Sequence, residues 1–173
     1  TFLGTCALWS RGELFYDLTI AATGHLTPQD ALAVQHNLDV KTGGQYTNNA
    51  QTLELGGVGG VAGTLTDSTV VKQNLGAVTI STAQKTLATA VSMSSLVLDS
   101  ALDLAGFALV DPAGTFTNNG TLFRTGAGVE SAPKTNASGI YWETSSNTWR
   151  GAELPTTYGD VFAIASDPSQ AAF

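Results

Sequence analysis

The feature that most constrains this chain is a repeated spacing. Residues 110–122 read Val-Asp-Pro-Ala-Gly-Thr-Phe-Thr-Asn-Asn-Gly-Thr-Leu, and residues 40–53 hold an earlier copy. Val40, Gly44, Tyr46, Thr47, Asn48 and Asn49 recur in the same spacing as Val110, Gly114, Phe116, Thr117, Asn118 and Asn119. A β-branched residue, a Gly turn, an aromatic and an Asn-Asn turn describe one strand, one corner, the next strand and the next corner. Repeats of this kind build stacks of rungs, each burying its inner face only against its neighbours. We therefore expect Tyr46 and Phe116, with Asn48, Asn49, Asn118 and Asn119, to mark equivalent floors.

The rest of the chain keeps the same grammar. Leu14, Tyr16, Leu18 and Ile20 alternate with Phe15, Asp17 and Thr19, Leu26-Thr27-Pro28 reads as a corner, and short strands follow at 37–40, 45–47, 52–55, 63–66, 69–71, 77–80, 96–99 and 102–104. Turn residues punctuate them every few positions, which excludes long helices and points to a sandwich, barrel or solenoid. Residues 81–95 lack the three-and-four spacing of an amphipathic helix and read as short strands. The fold expected is all-β, a short parallel β-helix (β-solenoid) with a C-terminal β-hairpin and arm; a jelly-roll sandwich is the alternative. Residues 1–128 would form the β-helical domain, with an apolar N-terminal arm (Phe2, Leu3, Leu8, Trp9) capping the first rung or docking on a neighbour. Residues 129–173 would form the hairpin and tail. There, Ser145-Ser146-Asn147 lies between two apolar runs, and a turn on the serines sets Trp142 opposite Trp149 and Glu143 opposite Thr148.

Composition limits what such a fold does. Charged residues make up 12% of the chain, about half the roughly 25% of ordinary soluble domains. Thr, Ser, Asn, Gln and Gly take their place, a mix that suits a surface covered by neighbours in a regular assembly, or one outside the cytoplasm. The net charge of −7 with seven basic residues, none adjacent, argues against nucleic acid. No apolar run is long enough to span a bilayer. Cys6 is the single cysteine, so no intramolecular disulfide forms, and we read it as a small buried hydrophobe. The chain starts on Thr1 without a basic leader, which fits an upstream segment having been removed.

Residues 37–49 and 102–122, on these strand and turn spacings, resemble the rungs of right-handed parallel β-helix proteins: adhesins of the filamentous-haemagglutinin type, autotransporter passengers, and β-helical tail or capsid-surface proteins of bacteriophages. The resemblance covers about residues 14–126. It implies a β-helical module inside a multimer, and for viral decoration and tail proteins a homotrimer.

Candidate sites are few. Asp99, Asp103 and Asp111 fall in neighbouring strands and corners, but β-helical lyases also need a base beside their acids, and none lies between Lys85 and Arg124. Solvated corner aspartates are the simpler reading. His25 and His36 have no Cys or second acid at ligand spacing, so no metal is expected. The glycine-rich stretch 56–64 lacks the following helix of a phosphate cradle and reads as a loop. Asn119-Gly-Thr121 and Asn136-Ala-Ser138 match the glycosylation pattern. Tyr141, Trp142, Trp149 and Tyr158 are the sharpest feature. We favour their packing on the solenoid end or across a subunit contact over stacking on a glycan.

These readings converge on a non-catalytic structural protein without catalytic residues or cofactors: a homo-oligomer, a trimer by resemblance, on a virion surface beside other structural proteins. A secreted, glycan-binding bacterial adhesin or filament subunit is the alternative.

Overall fold

A computed structural model describes residues 1–110, 116–123, 129–130, 134–135, 141–143, 148–150 and 163–165, with side chains for 1–109, 117 and 119–121. Every described element is a strand, and the parallel strands stack as a solenoid of about 5 turns. The first wall contains β2 (Leu14–Phe15), β5 (Leu32–Val34), β8 (Thr52–Leu55), β10 (Ala77–Ile80), β13 (Ser95–Leu98), β16 (Phe116–Asn118) and β19 (Lys134–Thr135). The second contains β3 (Leu18–Ile20), β6 (Leu38–Val40), β9 (Gly63–Asp67), β11 (Gln84–Leu87), β14 (Ala101–Asp103) and β17 (Thr121–Phe123). The third is in two sheets, first β1 (Thr5–Leu8), β4 (His25–Pro28) and β7 (Gln45–Tyr46), then β12 (Val91–Ser92), β15 (Ala108–Val110) and β18 (Val129–Glu130). In the turn between the two sheets, Asn74 bridges Ser92 in parallel.

The period-two pattern explains why each strand turns one face inward. On the first wall Leu32, Leu53, Val78 and Leu96 lie in register, as do Val34, Leu55, Ile80 and Leu98. All eight are buried. The residues between them (Ala33, Glu54, Thr79, Val97) form an outer row that is only partly buried. Leu18, Leu38, Leu65 and Leu87 make the matching inner ladder of the second wall. The core is one continuous column because each rung supplies the inner face that its neighbour lacks.

Parallel pairing throughout the three walls excludes the jelly-roll alternative, which requires antiparallel neighbours. The N-terminal residues belong to the first turn: β1 pairs with β4, Phe2 bridges Ile20, and Phe2, Cys6, Leu8 and Phe15 pack half-buried on the core. Leu3 and Trp9 stay exposed. Residues 81–95 are strands, as their irregular spacing predicts. Parallel pairing continues past Gly128 through β18 and β19. A separate antiparallel sheet holds β20 (Tyr141–Glu143), β21 (Thr148–Arg150) and β22 (Ala163–Ala165). Trp142 pairs with Trp149 and Glu143 with Thr148, the register read from the serine turn.

Several expectations are overturned. Leu26-Thr27-Pro28, read as a corner, lies in strand β4 of the third wall, and Thr69-Val70-Val71, read as a strand, lies in a corner loop. Leu14 and Tyr16 are exposed while Phe15 packs on the core, because the inward set switches between β2 and β3. The two copies of the repeat do not occupy equivalent floors. Tyr46 lies on the third wall, in register with Leu26 and, one turn earlier, Cys6, whereas Phe116 lies on the first wall beside Leu96. The offset between the copies amounts to whole turns plus one wall. Gly and Asn-Asn corners recur at more than one edge of the coil, so the same local chemistry matched segments from different walls.

Candidate functional site

The third turn is longer than the others and carries two corner loops. The first, residues 56–62, joins the first wall to the second. Gly56, Gly57 and Gly59 have φ of 118°, 69° and 74°, the left-handed region where an L side chain is strained. The loop is tied to both neighbouring turns. Above it, Gly56 N–H donates to Val34 O at 2.8 Å, Val61 N–H to Gln35 O at 3.2 Å, and Gln35 Nε2 to Val58 O at 2.6 Å. Below it, Gly57 N–H donates to Ser81 Oγ at 2.8 Å, Thr82 Oγ1 donates to Gly57 O at 2.7 Å, and Ser81 Oγ donates to Glu54 Oε1 at 2.6 Å. Val58 at its tip is 85% exposed. Next to this loop, at the same corner, Leu14 and Tyr16 are also exposed, and Tyr16 lies 4.9 Å from the His36 ring. His36 Nδ1 pairs with Asp17 Oδ1 at 2.9 Å.

Lys85 lies beneath this loop at an inward position of β11, fully buried at 0% exposure. Its ammonium donates to Gln35 O (2.7 Å), His36 O (3.0 Å) and Val61 O (2.8 Å). Gly63, its register partner, approaches so closely that a Cβ there would sit 2.2 Å from His36 O. Burial pulls the Lys85 pKa below its ordinary 10.5. Three carbonyls, one from the adjacent turn and two from the turn beyond it, make it a clip across the corner, with no carboxylate among its hydrogen-bond partners in the described residues.

The second loop, residues 68–73, joins the second wall to the third. Asp67 is buried and organises it. Its carboxylate accepts from Thr69 N–H at 2.9 Å, the Thr69 hydroxyl, and Gln73 N–H at 2.6 Å. Lys72 Nζ donates to the carbonyls of Asp67 and Thr69 at 2.6 and 2.9 Å. Gln73 Oε1 accepts Tyr46 N–H at 3.2 Å, so a side chain completes the edge of β7 where the third wall is interrupted. Val70 and Val71 at the tip are 93% and 78% exposed. Between this loop and residues 42–45 lies an open cleft of about 380 Å³.

The residues singled out in the sequence are scattered. Asp99 is an exposed corner carboxylate that accepts Asn119 Nδ2 at 2.7 Å, and Asp103 Oδ1 accepts Ala105 N–H at 2.9 Å. Asp111 lies outside the described residues. His25 Nε2 sits 3.0 Å from Thr47 Oγ1. Among the described residues no group of three His, Cys, Asp or Glu gathers at a metal-binding distance. Asn48 and Asn49 brace the third-wall corner: Asn48 Oδ1 accepts Ala50 N–H at 2.8 Å, and Asn49 Nδ2 donates to Pro28 O at 3.1 Å. Tyr46 is buried, its hydroxyl has no hydrogen-bond partner among the described residues, and burial pushes its pKa up. Tyr141, Trp142 and Trp149 lie on β20 and β21; Tyr158 and the glycosylation match at Asn136 lie outside the described residues. Asp30 accepts the N–H groups of Ser10 and Arg11, both at 2.7 Å, which hold its carboxyl below the usual range.

Sequence reasoning missed the two loop tips and the buried charges. Alternation in Gln-Lys-Thr-Leu put Lys85 on the same side as Leu87, and in Leu-Thr-Asp put Asp67 on the side of Leu65. That signal was readable.

The chain matches no known family, no curated protein and no solved structure.

Proposed function

We propose that this chain is a non-catalytic structural subunit of a multimeric assembly, in its most concrete form a capsid-decoration or tail-surface protein of a virion, trimeric as the resemblance implies. One observation carries the reading: Val58, Val70 and Val71 are held out in water on loops tied down at both sides. Ordering three apolar side chains in solvent gains nothing for the fold. It prepares a contact, because a preorganised surface loses little entropy on binding. The sparse charge fits a surface largely covered by neighbours. Light scattering across a concentration series tests it, together with co-purification with particles. A defined oligomer is expected; a monodisperse monomer at every concentration contradicts the reading.

A second reading, an extracellular adhesin or filament subunit, draws on the register that places Trp142 directly across from Trp149. Paired aromatics suit sugar faces. Glycan-array binding that vanishes in Trp142→Ala and Trp149→Ala is its expected signature. An array with no binding by the parent chain removes it.

A further inference from the structure

The first turn of the coil leaves a sheet edge open. β1 is outermost in its sheet, with β4 on one side only. Gly4 O accepts His25 N–H at 3.0 Å and Leu8 O accepts Gln29 N–H at 2.7 Å, so the even-numbered residues here bond to β4. Facing alternates along a parallel strand. Thr5 and Ala7 therefore turn their N–H and C=O groups away from β4, and no described residue pairs with β1 on that side. The strand, Thr-Cys-Ala-Leu, holds none of the charges or prolines that keep sheet edges apart. Behind it the core is uncovered. Cys6 and Leu8 are only half-buried, whereas Leu26 and Pro28, their register partners, are buried. Leu3 and Trp9, which flank β1, are 71% and 63% exposed.

We propose that β1 of a second copy of this chain pairs with this edge, antiparallel, across a two-fold axis. This rests on the structural-subunit reading above and names one of its contacts. A row of open N–H and C=O groups is completed by another polypeptide edge, not by an apolar surface alone. The register selects a copy of the same strand. Ladder bonds form only between residues that face the gap, and the pairing that uses both of them on both copies sets Thr5 opposite Ala7 twice. That same register brings Leu3 of each copy toward Trp9 of the other, so the exposed apolar groups meet reciprocally, as a two-fold contact requires. The end of a coil is a ramp, which a two-fold axis across the coil maps onto itself. The half-buried Cys6 and Leu8 of one copy therefore come to lie over those of the other. The pairing runs along β1 alone, and β2, two residues long, stays a free end. The axis doubles whatever lateral assembly exists, a trimer becoming a hexamer.

Ala7→Pro tests it. The substitution removes an edge N–H and sets a ring in the gap without touching a bond to β4, so circular dichroism should match the parent chain. Sedimentation velocity should show the parent as an even-numbered oligomer and Ala7→Pro at half its mass. Cys6 supplies a second readout. The register sets it opposite its own copy in a non-hydrogen-bonded pair, with Cα atoms about 4.5 Å apart, inside the roughly 4.4–6.8 Å that a disulfide spans. Diamide takes up the two thiol hydrogens as the S–S bond forms. It should convert the parent to a covalent dimer on a non-reducing gel, and Cys6 is the single cysteine, so the link is unambiguous. A parent oligomer whose mass Ala7→Pro leaves unchanged, one with an odd number of copies, or one that gives no covalent dimer overturns the inference while leaving the structural-subunit reading in place. Where the Ala7→Pro chain does not fold, the diamide result on the parent decides by itself. A parent that is a monodisperse monomer removes both.

Discussion

At the scale of single residues, buried polar groups decide where the solenoid is braced and where it is weak. Lys85 replaces a core aliphatic and fastens three backbone carbonyls. Lys85→Met should leave all three without this donor, at about 1–3 kcal/mol, read as a lower denaturation midpoint. The pH dependence has a definite sign. The folded pKa is lowered, so between that value and 10.5 the unfolded chain holds a proton that the folded chain has lost. Stability therefore rises with pH across that window, and Lys85→Met should lose the rise; a parent whose stability falls with pH there contradicts this. Tyr46 is the opposite case. Its hydroxyl is buried without a partner among the described residues, so Tyr46→Phe should leave stability unchanged or raise it by up to about 1 kcal/mol. A clear loss in denaturant titration would reveal a partner that the geometry lacks. Burial of both side chains was legible from alternation. Their partners were not, because these come from chain segments far away in sequence.

At the scale of elements, the ladders depend on close approach as much as on apolar burial. Gly63 opens β9 against His36 O, and neither a positive φ nor a turn requires glycine there. Gly63→Ala must shift the strand or the corner, costing about 1–3 kcal/mol by overpacking; an unchanged melting midpoint would show that the corner yields freely. The sequence made the strands, the corner loop at 56–63 and the facing tryptophans readable, since period two and turn residues are local signals. It misassigned the wall of Phe116. Which floor a strand joins depends on summed corner lengths, and the third turn spends extra residues on its two loops. A repeat of corner chemistry carries no record of that length.

At the scale of the whole molecule, a column of rungs is close to a one-dimensional stack, its strands pairing only between adjacent turns, with Lys85 reaching one turn further to the carbonyls of Gln35 and His36. Protection against amide exchange should therefore be lowest in β2, at the free end of the first wall, and highest in β8, β10 and β13. Uniform protection along the wall would mean that the turns do not open one at a time. The same stacking leaves the corners free to carry long loops without disturbing the core. Everything above requires that strands distant in sequence be direct neighbours in the first wall. Nitroxide labels on the outward pairs Thr79 with Val97 and Val97 with Thr117 test this most directly. The account expects strong dipolar broadening for both pairs, as labels on backbones about 4.8 Å apart must show. Narrow, non-interacting spectra for both pairs would contradict it.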